Sequence, residues 1–225
     1  MDLGQRRSAG RSAGKAEAVG RAGNGEEEQA DMVKVYLKKI DGDSGEEEKI
    51  SHSRQSEAAR LLLTQALDER IPGRTGELRL GKDEAGKPFL PEYPQIYISI
   101  SHSGSFAVCA VGDAPVGVDI QVWKKGVSLE KVGRKLHPEE RRALSEAKEE
   151  EKIKLFYDIW VRKESFLKAV GTGLLLPLDS FLAADRVIQD VKGEEYFIRQ
   201  YRMEEGCSLA VCAAEPSFAS EAFRR

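Results

Sequence analysis

Between Gln95 and Val122 lie three short apolar runs: Gln95–Ser101, Phe106–Val111 and Val116–Val122. Gly104-Ser105 and Gly112-Asp113 divide them. Short β-branched runs broken by turn formers are strands, and an antiparallel meander is the expected arrangement. Alternation sends Ile96, Ile98 and Ile100 to one face and Tyr97, Ser99 and Ser101 to the other. A sheet with one apolar face needs cover, and the chain carries a helical pattern on either side. In the first, Ser51–Arg70, apolar residues recur at helical spacing from Ala59 through Leu62, Leu63, Ala66 and Leu67, and Pro72-Gly73 ends it. In the second, Phe156, Ile159, Trp160, Phe166, Leu167 and Val170 make one stripe, with the stem of Lys163 lying along it and a glycine turn after it.

The remaining segments extend this pattern. Val33, Val35 and Leu37 alternate with polar residues as in a half-buried strand, and Leu78–Leu80 is a short strand. Ser128 caps a short helix, and His137-Pro138-Glu139-Glu140 opens another, with proline in the first turn and acids at the positive end of the dipole. Phe181–Ala184, Glu195–Gln200 and Ser208–Ala213 read as strands, and the tail from Glu215 as loose. A strand–helix–strands half followed by a helices–strands half predicts an α+β fold. The expected boundary is near Trp123–Ser128, giving subdomains over 32–124 and 125–225 that share a cleft, with Trp160 packing the halves together. Residues 1–31 hold only Met1, Leu3 and Val19 as large apolar side chains. Such a segment cannot offset its ordering entropy by burial and is expected to be a disordered extension. It has no apolar core of a secretory signal.

The net charge of −3, with no long basic run, gives no nucleic-acid footprint. No apolar run approaches the roughly 18–20 residues that span a bilayer, so no membrane partner is expected. Cys109, Cys207 and Cys212 sit in apolar contexts, and an odd number cannot all pair. They read as buried thiols in a reducing, cytoplasmic compartment.

Chemistry-bearing residues gather in four places: Gly86-Lys87-Pro88-Phe89, Ser99-Ile100-Ser101-His102-Ser103-Gly104, Val116-Gly117-Val118-Asp119-Ile120-Gln121, and Trp160 to Lys168 with Glu164 four before Lys168. Each alone has an ordinary reading: a loop lysine, a turn histidine, a solvated strand acid, a surface ion pair at favoured helical spacing. Gly-Lys-Pro, Ser-His-Ser, Gly-Val-Asp-Ile and Trp-x-x-Lys-Glu-Ser-x-x-Lys in this order resemble the 4′-phosphopantetheinyl transferases. The match is to the long, two-domain type that activates surfactin synthetase. The resemblance runs from Glu77 to Ala214 and weakens before Ser51, where the chain is shorter than the family pattern.

The resemblance implies two similar α+β subdomains related by a pseudo-two-fold, each with a small mostly antiparallel sheet and helices, and an active site at their interface. It implies transfer of the phosphopantetheine arm of coenzyme A to a serine of an acyl or peptidyl carrier protein, releasing adenosine 3′,5′-bisphosphate, by a monomer. The pyrophosphate repels nucleophiles, so a Mg²⁺ held by oxygen ligands suits the reaction. By the same resemblance Asp119 and Glu164 are metal ligands. Glu164, directly or through a metal-bound water, is also the base for the carrier serine, and Lys168 neutralises charge on the transferring phosphate or assists the leaving group. Ser101 and His102 hold the pyrophosphate, Lys87 and Pro88 border the nucleotide, and Arg54 is a partner for the 3′-phosphate. One departure stands out: Gln121 occupies a position where the family usually has an acid. The expected site is therefore Asp119, Gln121 and Glu164, completed by water and phosphate. A basic set including Lys124, Lys125, Lys131, Arg134, Lys135, Arg141 and Arg142 is either a carrier-facing surface or an ordinary solvated helix face. The alternative function is a non-catalytic module that has lost one metal-ligand acid and only binds coenzyme A or a carrier.

Overall fold

The computed structural model describes residues 32–40, 50–124, 126–203 and 206–225. The expected extension over 1–31, and Lys125 of the basic set, lie outside them. The chain runs β1 (Lys34–Lys39), α1 (His52–Arg70), the short strands β2 (Gly81–Lys82) and β3 (Pro88–Phe89), then β4 (Tyr97–Ser103), β5 (Phe106–Gly112) and β6 (Val116–Val122). Three helices follow, α2 (Leu129–Gly133), α3 (Pro138–Glu146) and α4 (Glu149–Val170), and then β7 (Val187–Gln189), β8 (Glu195–Tyr201), β9 (Cys207–Ala213) and β10 (Phe223–Arg224). This is the α+β class that the sequence pattern predicts.

Two sheets carry the fold, one ordered β10-β1-β5-β4 and the other β6-β9-β8-β7. They face each other through Val35, Leu37, Val108 and Ala110 on one side and Val118, Ile120, Leu209 and Val211 on the other. Helix α1 covers the outer face of the first sheet, packing Leu62, Leu63, Ala66 and Leu67 on Ile96, Ile98 and Cys109. Helix α4 covers the second, packing Phe166 and Leu167 with Tyr196, Ile198 and Cys212. Strand order repeats between the halves: β1, α1, β4 and β5 form a sheet ordered β1-β5-β4, and β6, α4, β8 and β9 one ordered β6-β9-β8. In each, the last strand inserts between the first two.

Helix ends follow their capping signals. The Ser51 side chain accepts the Arg54 N–H, His137 and Glu140 form a reciprocal capping box at the start of α3, and Gly171 closes α4 with φ 80°. All three cysteines are buried and free, and burial pushes the Cys109 and Cys212 thiols far up. Among the described residues, no helix is long and apolar enough to cross a membrane.

Four local expectations are corrected. The third run of the meander does not extend it: β5 is flanked by β1 and β4 and has no free edge. Strand β6 instead opens the second sheet, pairing with β9 from Val116↔Ala213 to Val122↔Cys207. The tail is not loose: Val33 N–H donates to Ser217 O and Ala219 N–H to Val33 O, both at 2.9 Å, and β10 pairs in parallel with β1. An open strand edge with unpaired N–H and C=O groups explains that capture. Leu78–Leu80 and Phe181–Ala184 form no strand, the latter following a 3-10 turn at Leu178–Ser180. Trp160 packs between two clusters within the second half, next to Phe156 at 5.8 Å between ring centroids, rather than between the halves.

Candidate active site

The site grows from the seam between β4 and β6. Strand β6 gives one edge to β9, and its other edge faces β4. There, side chains take the place of a backbone ladder. Ser99 Oγ accepts Val118 N–H at 3.0 Å, Ser103 Oγ accepts Val122 N–H at 3.0 Å, and Ser101 Oγ accepts Ile120 N–H at 3.5 Å. The alternation of serines in β4 thus satisfies the alternate donors of β6, which a buried edge would otherwise leave unpaired. These serines are buried.

Helix α4 lies directly on β6, and Gly117 allows the approach. A Cβ at Gly117 would fall 2.1 Å from Ser165 O and 2.4 Å from Ala169 N, inside the helix backbone. The close contact lets Lys168 reach the strand: its ammonium donates to Val118 O at 3.0 Å and to Asp119 Oδ1 at 2.7 Å. Asp119 is 3% exposed. Its Oδ1 also accepts from Ser101 Oγ at 2.7 Å, and its Oδ2 from the Gln121 amide at 3.2 Å. Glu164 stands one turn before Lys168, half-buried. Burial holds its carboxyl above the ordinary carboxylate range, the Asp119 charge adds to the effect, and Lys168 opposes it. Glu164 and Lys168 are therefore not a surface pair; the lysine is turned inward to a second acid.

This cluster sets two carboxylates against one ammonium. The excess negative charge and the desolvation of Glu164 suit an additional cation. Among the described residues no three His, Cys, Asp or Glu side chains form a closed metal cage. Two carboxylates and the Gln121 amide oxygen are the groups here that could hold a hard cation, one that keeps some ligands as water. The Gln121 amide gives its N–H to Asp119, so its oxygen would meet a cation only after the amide turns.

His102 lies beside the cluster. Its Nε2 is 3.3 Å from Ser56 Oγ, and its ring meets His52 edge-on at 4.8 Å between centroids. Burial lowers its pKa first, His52 and Lys168 push the same way, and a backbone contact and Asp119 oppose them, so the balance favours the uncharged ring. Arg54 sits half-buried on the same first turn of α1 as His52 and Ser56. Lys87 is at the far end of α4, where its ammonium donates to Ala169 O at 2.7 Å. Burial pushes its pKa down to about 8, with Asp83 and Cys212 pulling it back. Lys87 and Pro88 line a cleft with Phe89, Pro94, Tyr97 and Tyr196. A larger hollow, between Leu37, Arg199, Tyr201 and Arg224, holds none of these residues.

The structure thus joins Ser101, Asp119, Gln121, Glu164 and Lys168, adds His102 through its charge coupling, and sets Lys87 with Pro88 at one end of α4 and Arg54 at the start of α1. Sequence reasoning missed Gly117 as the contact point for α4, Ser99 and Ser103 as seam residues, and His52 and Ser56 as neighbours of His102. The Ser-x-Ser-x-Ser alternation was a readable signal for the seam. Nothing local links His52 to His102.

Residues 115–212 match the model of the 4′-phosphopantetheinyl transferase superfamily. The chain is similar to a 4′-phosphopantetheinyl transferase of Bacillus subtilis, 40% identical over 147 residues, which are 63% of this chain and 65% of that protein. It is similar to the 4′-phosphopantetheinyl transferase Sfp of Bacillus subtilis strain 168, 35% identical over 175 residues, 73% of this chain and 78% of that protein. A third relative, the 4′-phosphopantetheinyl transferase ffp of Bacillus subtilis, is 35% identical over 164 residues, 70% of this chain and 73% of that protein.

Proposed function

Because the chain belongs to the 4′-phosphopantetheinyl transferase superfamily, we propose that it moves the phosphopantetheine arm of coenzyme A onto a serine of an acyl or peptidyl carrier protein. The observation that carries this reading is the buried Asp119, bridged to Lys168 and flanked by a desolvated Glu164. Glu164 takes the proton as the carrier serine oxygen bonds to the β-phosphorus, and the bond from that phosphorus to the bridging oxygen breaks. Adenosine 3′,5′-bisphosphate leaves with the electron pair. A carboxyl held above its ordinary pKa by burial is a better proton acceptor than a solvated one. Lys168 balances charge on the transferring phosphate. Ser101 fixes the Asp119 carboxylate through its hydrogen bond and would, with His102, hold the pyrophosphate.

Asp119, Glu164 and the Gln121 oxygen would hold Mg²⁺, which supplies positive charge to the pyrophosphate when bound. His102 would meet the pyrophosphate from the α1 side. Lys87 and Pro88 would border the nucleotide, and Arg54 the 3′-phosphate. The repeated strand order supports two subdomains, 32–124 and 125–225, related by a pseudo-two-fold, with the final strand returning to the first. Two such halves in one chain complete a cleft, which supports a monomer. Buried free thiols fit a cytoplasmic setting. The exposed basic residues Lys124, Lys131, Arg134, Lys135, Arg141 and Arg142 are the surface offered to an acidic carrier.

Incubation with apo carrier protein, coenzyme A and Mg²⁺, followed by mass measurement of the carrier, is the test. Addition of phosphopantetheine is expected, with loss of transfer in Asp119→Ala and Glu164→Ala. Gln121→Glu is expected to lower the Mg²⁺ concentration needed for half-maximal transfer. Binding of coenzyme A without transfer to any carrier would instead favour the non-catalytic module.

A further inference from the structure

We propose that Ser56, itself oriented by His52, is a positioning residue that sets the tautomer of the His102 imidazole. Ser56 Oγ lies between two rings, 3.4 Å from His52 Nδ1 and 3.3 Å from His102 Nε2. A hydroxyl has one proton, so it can donate to only one of them and accept from the other. The hydroxyl meets the His102 ring at Nε2, and an uncharged imidazole has a single N–H, so a hydroxyl that donates there holds the ring's proton on Nδ1. The proton order assigned here is His52 Nδ1–H to Ser56 Oγ, and Ser56 O–H to His102 Nε2.

The rings are also held mechanically. His52 packs its edge on His102. Gln55, on the same helical turn, donates to Gly104 O at 2.7 Å and fixes the turn that follows His102. The first turn of α1 therefore clamps the end of β4 at two points, and Ser56 is the one that touches the imidazole.

This inference rests on the reading of His102 as a pyrophosphate contact, since a neutral imidazole presents one donor and the tautomer decides which nitrogen bears it. A chain with three histidines allows each ring to be assigned in ¹⁵N-histidine spectra. His102 is expected to hold its proton on Nδ1 in the unaltered protein and to shift toward the Nε2–H form in Ser56→Ala. In the same variant KM for coenzyme A should rise about 3- to 10-fold, the effect of one misplaced hydrogen bond, with kcat little changed. Ser56→Thr should restore both readouts, and His52→Ala should move the tautomer in the same direction as Ser56→Ala. An unchanged tautomer in Ser56→Ala overturns the proposal. So does an unchanged KM for coenzyme A in Ser56→Ala while His102→Ala raises it. If His102→Ala itself leaves coenzyme A binding intact, the pyrophosphate reading of His102 fails, and the tautomer measurement still judges Ser56.

Discussion

Lys163 carries its charge where water does not reach: its side chain is 0% exposed, and that of its partner Glu140 is 1% exposed. The ammonium spends its donors on Glu140 Oε2 at 2.9 Å, Leu178 O at 2.7 Å and Phe181 O at 2.6 Å, and sits 4.1 Å from the centroid of the Phe181 ring. Glu140 in turn accepts Ala183 N–H at 2.8 Å and His137 N–H at 3.1 Å. Burial lowers the Lys163 pKa and the Glu140 carboxylate resists it. The pair thus ties α3 and the irregular 178–183 segment to α4, one residue from Glu164. Lys163→Met, which strands a buried carboxylate, should cost about 3–5 kcal/mol in urea unfolding, and adding Glu140→Gln, which removes the stranded charge and keeps an acceptor for the Ala183 and His137 N–H groups, should recover part of the loss. A double variant as unstable as the single one would assign the cost to packing instead. A lysine on an apolar stripe was visible in the sequence, but as a snorkelling stem. Its buried partner lies on another helix, and no local pattern announces it.

At the scale of elements, α4 is held in place from both ends. Gly117 lets it press against β6, and Gly171 ends it in a left-handed residue whose N–H returns to Leu167 O. Lys87 adds a cation and a hydrogen bond at the carboxyl end of the helix, where the dipole favours positive charge. That contact has a pH signature. The pKa of Lys87 is about 8 in the folded chain against an ordinary 10.5, so between those values the unfolded chain holds more protons. Stability from this group therefore rises as pH climbs from about 8 to 10.5. The melting temperature of the unaltered protein, minus that of Lys87→Met, should increase across the window; a flat difference would show that Lys87 is not desolvated there. The helix boundaries were legible because caps are local: Ser51, Pro138 and Gly171 each mark an end in one or two residues. The sheet to which β6 belongs was not, because its partner β9 arrives only after three helices and two further strands.

For the whole molecule, the tail matters more than its sequence suggests. Residues 217–225 bond to Val33 and Leu37, and Phe223 packs its ring 5.4 Å from that of Tyr36. Removing residues 216–225 should lower the melting temperature by several degrees and promote association through the bared β1 edge, read by thermal melting and light scattering. An unchanged melt with a monodisperse sample would mean the edge needs no cover. A two-residue parallel strand leaves no periodicity to read, which is why the tail looked loose. The site was legible as residue types and order, while its geometry was not: the motif residues meet only because one sheet begins where the other's hairpin ends. That meeting line is stitched by the Ser99, Ser101 and Ser103 hydroxyls. A hydroxyl rotates about its own bond to follow its donor, so the joint has tolerance that a main-chain ladder lacks. Two sheets so joined keep each amide of the seam paired through a side chain that can reorient. For a reaction between coenzyme A and a whole carrier protein, that slack sits directly beside Asp119.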